Sequence, residues 1–163
     1  LHPRVRRQRQ MCIRDRDKAW LFSGHSGAGK STHTNMWKEL FNTPVINGDL
    51  NLIDINTTDG IPVVIGIPWC GTSGIYTSRS YPLGGITFIK KDITDQVRRI
   101  DGDDAVLSIA QRMISPCWNT RLLENNLAAS EKIAAGITVF RLCCTKNPSS
   151  AFLMKEEIDN EYH

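Results

Sequence analysis

The sequence predicts an α/β fold: a sheet with flanking helices and an antiparallel hairpin near the candidate site. Three observations carry the prediction. A short apolar run at residues 19–23, "AWLFS", passes through a glycine-rich turn into a helical pattern. Two apolar runs separated by the turn residues "NTTDG" read as a hairpin over residues 50–66. A last apolar run, "ITVFRLCC", lies between two segments of helical spacing.

Each element follows from its residues. Residues 19–23 are short, apolar and aromatic, as a buried strand requires. In "STHTNMWKELF" (residues 31–41), Met36, Trp37, Leu40 and Phe41 fall at helical spacing, and Asn42, Thr43 and Pro44 break the helix. "VINGDLNLIDI" (45–55) reads as a strand, a break at Asn47 and Gly48, and a second strand. "IPVVIG" (61–66) returns after the turn. Residues 68–85, rich in Gly, Ser and Thr, read as a long loop of the kind that carries function. "ITFIKK" (86–91) is a further strand. Residues 101–115 open with acids suited to a helix start, with apolar residues at 106, 109, 110 and 113. Residues 119–136 form a longer helix closed by Gly136. "ITVFRLCC" (137–144) is the last core strand, and Pro148 opens a final helix over 147–159. There is no internal repeat or low-complexity segment.

Residues 1–16 stand apart. They show no apolar period, and "RQRQMCIRDR" resembles a translated sequencing adapter. The expectation is a non-native, disordered leader over 1–16, and a single domain over 17–163 whose natural start is missing. The leader also explains the charge. Its six arginines against Asp15 give it five net positive charges, so the remainder is −2 although the whole chain is +3. No basic patch is left to argue for nucleic acid or a membrane as partner. No apolar run is long enough to span a bilayer. Cys70, Cys117, Cys143 and Cys144 lack C-x-x-C spacing, which argues against zinc and for free thiols in a cytoplasmic protein.

"GHSGAGKSTHTNMW" (24–37) holds Gly24, four residues, then Gly29, Lys30 and Ser31, the full spacing of a phosphate-binding P-loop. Its glycines let the backbone wrap a polyphosphate, and the following helix adds its positive dipole end. The expected nucleotide-binding residues are Gly24, His25, Ser26, Gly27, Ala28, Gly29, Lys30, Ser31 and Thr32. Lys30 reaches the β- and γ-phosphates, and Ser31 holds Mg²⁺. His25 contributes backbone rather than side chain, and His33 is read as facing out of the helix. Asp49, at the tip of the strand after the first helix, is the expected second Mg²⁺ ligand and catalytic carboxylate. Asp54 reads as a solvated strand residue and Asp59 as a turn residue. Trp69 and Trp118 read as packing residues. The acceptor side is expected in residues 69–79, where Gly71, Thr72, Ser73 and Gly74 offer hydroxyls and N–H groups. Arg79 is the expected catalytic cation there.

Taken in order, "GHSGAGKSTHTNMW", "VINGDLNLI" and "GIPWCGTSGIYTSRSYPLGGITFIKK" resemble the HPr kinase/phosphorylase-like group, P-loop proteins related to the phosphoenolpyruvate carboxykinase fold. The likeness is to small bacterial members and runs from Ala19 to about Leu153. It implies a P-loop nucleoside triphosphate hydrolase-like sheet. It also implies ATP- and Mg²⁺-dependent transfer of a phosphoryl group to a hydroxyl, on a protein serine or a small metabolite, with a homo-oligomer possible. Lys30, Ser31 and Asp49 match the family's positions. Bifunctional members have paired acids where this chain has Gly48 and Asp49. A nucleotide-dependent switch, or an ATP-binding module without phosphotransfer, is the alternative reading. The guanine signature N/T-K-x-D is absent, which disfavours a GTPase.

Overall fold

Side-chain alternation along three neighbouring strands gives the central sheet two buried faces. In the computed structural model, residues 10–69, 74–114 and 118–162 are described. Among them run β1 (Met11–Asp15), β2 (Lys18–Ser23), α1 (Lys30–Phe41), β3 (Val45–Asn47), β4 (Leu52–Asp54), β5 (Val63–Ile65), β6 (Ser80–Lys91), β7 (Gln96–Arg99), α2 (Gly102–Ala110), α3 (Thr120–Gly136), β8 (Thr138–Cys144) and α4 (Ser149–Asn160). The fold is mixed α/β, with eight strands among the described residues in a mostly antiparallel sheet.

The parallel core is β2–β6–β8: Ser23 pairs with Phe88, and Phe88 with Arg141. On one face Leu21, Ile86 and Val139 pack against Ala105 and Ile109 of α2, Ile133 of α3, and Val64 of the β4–β5 hairpin. On the other, Phe22, Phe140 and Leu142 pack against Trp37 of α1 and Ala151, Met154 and Ile158 of α4. Because the three strands run the same way, their C-terminal ends meet at one edge. Open α/β sheets bind ligands at such an edge.

Several expectations need correction. Met11–Asp15 is not outside the fold: it lies between β2 and β3, antiparallel to both, with Met11, Cys12 and Ile13 buried. "MCI" is apolar enough to fill a strand once both neighbours supply backbone partners. Residues 1–9 lie outside the described residues. The loop of 68–85 ends sooner than expected, because Ser80–Pro82 pairs with the hairpin strand β5. Of the helix expected over 101–115, Gly102–Ala110 is helical and residues 111–114 are not, while Ser115 lies outside the described residues. β7, "QVRR", has no apolar signal because it is an exposed strand paired on β8 alone. No described helix is long and apolar enough to cross a membrane. Cys12, Cys143 and Cys144 are free, and burial pushes the Cys144 thiol up to about 11.

Candidate functional site

The glycine loop leaves β2 at buried Ser23 and enters α1 at Lys30. A side chain at Gly24 would bring a Cβ within 2.8 Å of the Ile89 carbonyl oxygen, so the loop lies tight against β6. Gly29 caps α1 at φ 101°, a conformation that disfavours L side chains. Lys30 is buried, and its Nζ donates to the carbonyls of Gly24 and His25, both at 2.8 Å. The lysine thus fastens the start of the loop to the start of the helix.

α1 is anchored by the face that carries His33 and Trp37. The Trp37 indole N–H donates to His33 Nε2 at 3.0 Å, and Phe22 of β2 meets the His33 ring edge-on at 4.9 Å. His33 is therefore a core residue, not an outward one. Its burial lowers its pKa to about 4, only partly opposed by the charge of Asp95. The helix spacing that marked Trp37 as apolar places His33 four residues earlier on the same face.

Asp49 follows β3, which borders β1. Its N–H donates to Asn47 Oδ1 at 3.0 Å, while Asn47 itself is buried and donates to the Ile67 carbonyl. On either side of Asp49, the Gly48 N–H donates to the Ile75 carbonyl and the Leu50 N–H to the Trp69 carbonyl. The ends of the 69–75 loop thus brace the carboxylate's turn. Asp49 shares a cleft of about 500 Å³ with Ser26, Gly27, Gly29, Lys30, Ser31 and Thr32. Lys38, Lys91 and Lys146 line the same cleft, and Asp49 is its one carboxylate among the described residues. These residues, far apart in the chain, are brought together.

No group of three or more metal-ligating His, Cys, Asp or Glu side chains occurs among the described residues. Mg²⁺ carried on phosphate needs only one or two protein ligands and fills the rest with phosphate oxygens and water. Ser31 and Asp49 are a matching donor pair in one cleft.

His25, Ser26, Gly27 and Ala28 also line a second cleft, of about 490 Å³, on the α2 side of the loop. There the Arg112 guanidinium lies 3.0 Å from His25 Nε2, so the His25 side chain does engage a partner. Arg141 reaches Ser108 of α2 at 3.4 Å. Arg79 is exposed beside β5, its carbonyl accepting from the Gly66 N–H, and it lines neither cleft. Gly71, Thr72 and Ser73 lie outside the described residues, and Gly74 is exposed. Trp69 and Trp118 are 64% and 81% exposed, so neither packs in a core. Asp54 and Asp59 each accept a backbone N–H two residues on, as turn carboxylates do.

Sequence reasoning missed Lys91, Arg112, Arg141 and Lys146. Arg141 did leave a signal: it is the single charge inside the apolar run 137–144. Arg112 and Lys146 reach the site only through the packing of distant elements. No family model matches the chain, and no curated protein is significantly similar to it.

Proposed function

We propose that this protein is an ATP-binding P-loop kinase, similar in kind to the HPr kinase/phosphorylase-like group, that transfers a phosphoryl group to a hydroxyl of a protein serine or a small metabolite. The observation that carries the reading is the shared cleft of Lys30, Ser31 and Asp49 at the end of β2, with three further lysines on its wall. One carboxylate among four cations suits a polyanion that brings its own divalent ion. The parallel trio of strands and the loop-to-helix passage also support a P-loop sheet, and a cytoplasmic setting belongs to the same proposal.

In this reading the loop N–H groups and the α1 dipole bind the β- and γ-phosphates, and Lys30 adds a fixed positive charge. Ser31 and Asp49 would hold Mg²⁺, which would supply charge neutralisation when bound. The acceptor hydroxyl oxygen bonds to the γ-phosphorus. The bond from that phosphorus to the β–γ bridging oxygen breaks, and ADP leaves with the electron pair. Asp49 takes the hydroxyl proton. Positioning and electrostatics supply most of the rate, as expected for phosphoryl transfer.

The test is transfer of labelled phosphate from ATP to lysate fractions and small hydroxyl compounds. Asp49→Asn should lower turnover by about 10²-fold or more, because proton and metal effects act on the transition state. ATP affinity should change far less. Wild-type turnover in Asp49→Asn would remove that residue's role. ATP binding with no transfer to any acceptor would favour the alternative, a nucleotide-dependent switch or non-transferring module.

A further inference from the structure

The cleft on the α2 side of the glycine loop differs from its neighbour in charge. Lys90, Lys91, Arg112 and Arg141 line it, and no carboxylate does among the described residues. Phe88, Lys90 and Arg141 share one face of the sheet: Phe88 and Arg141 are paired across β6 and β8, and Lys90 is two residues beyond Phe88. Arg141 is half-buried, and among the described residues its guanidinium has one hydrogen-bond partner, the neutral Ser108 hydroxyl. Arg112 is also half-buried, with the His25 ring as its one side-chain partner among the described residues. Two partly buried guanidinium groups with no carboxylate partner among the described residues are better placed when an anion joins them.

We infer that this cleft is a second anion site, taking the phosphate group of a small ligand that also presents a hydroxyl, and that it is where the phosphoacceptor docks. The ligand class rests on geometry and charge: forked guanidinium donors match phosphate oxygens, and the volume of about 490 Å³ suits a small metabolite. Its role as acceptor site rests on the kinase reading above. Ser26 and Gly27 line both clefts, so a ligand held by Arg112 and Arg141 would present its hydroxyl where the two clefts meet. The acceptor is then a phosphate ester of a small polyol rather than a neutral one.

The test is a calorimetric titration of the full chain saturated with Mg²⁺ and a non-hydrolysable ATP analogue. The probes are glycerol 3-phosphate, inorganic phosphate and glycerol. Glycerol 3-phosphate should bind once per chain, and glycerol should not. Arg141→Gln and Arg112→Gln should each weaken the ester about tenfold or more, with analogue affinity changed less than twofold and Arg141→Lys retaining part of the binding. Inorganic phosphate weaker than the ester supports a metabolite ester. Equal or tighter inorganic phosphate keeps the anion site but overturns its role as acceptor site. No saturable ester binding, equal ester affinity in both Gln variants, or one-for-one displacement of the analogue would overturn the inference. If the analogue itself fails to bind, the ATP reading falls. The same titration of the nucleotide-free wild-type chain then still decides whether the second site exists.

Discussion

The two clefts beside the glycine loop have nearly equal volumes, about 500 and 490 Å³, and are built in opposite ways. The Asp49 cleft takes its largest single share of lining, six residues, from the stretch 26–32 and adds a carboxylate from the turn after β3. The α2 cleft draws on the loop, β6, α2 and β8, spread over more than a hundred residues. The first places a carboxylate among its cations, and the second none among the described residues. The loop that lines both clefts carries a recognisable motif because it is local, whereas the cations that packing brings in, Lys91 and Lys146 in one cleft and Arg112 and Arg141 in the other, are visible only after the chain has folded.

The comparison is broken most severely at β1, which connects β3 and Asp49 to the sheet but contributes nothing to the α2 cleft. Deleting residues 1–16 removes the buried side chains of Met11, Cys12 and Ile13. The expected loss is roughly 5 kcal/mol or more, a large share of a domain's stability. A melting temperature equal to that of the full chain would show that β1 is dispensable to the fold.

A smaller effect should come from His33, which seats α1 and so serves both clefts. Its folded pKa, about 4, lies below the ordinary value of 6.5 because it is buried. Between those two values the unfolded chain binds a proton that the folded chain refuses, so stability falls as pH drops through that window and levels off below pH 4. The loss totals about 3 kcal/mol. Urea unfolding across pH 7 to 4 should show a shallower decline for His33→Gln than for the wild type. Parallel profiles would contradict the assignment.

The smallest effect is expected at Gly29, the hinge between loop and helix. Gly29→Ala meets no atom within 4 Å, so any cost comes from its φ of 101° rather than from a clash. A loss of about 1–2 kcal/mol is expected in chemical denaturation, and an unchanged midpoint would argue that the loop relaxes freely.

What the sequence made legible follows the same division. Residues 19–41 were read as strand, loop and helix because each step is set by near neighbours: apolar run, glycines, helical spacing. The β4–β5 hairpin was legible for its turn chemistry. β1 was not, because five residues in an arginine-rich context have no signal until β2 and β3 pair with them. β7 was not, because an exposed strand needs no apolar face. Asp49 was legible from its place at a strand tip. Arg112 and Arg141 were not, because their convergence depends on α2 packing over β8.

The central claim is that the loop from Gly24 to Ser31 binds Mg-ATP, and the most direct measurement is a calorimetric titration of Mg-ATP into wild-type and Lys30→Ala protein. The wild type should bind saturably. The variant should be weakened by about 2 kcal/mol or more, since a charge-assisted phosphate contact would be lost. Equal affinity in the two proteins, or no binding by the wild type, would contradict it.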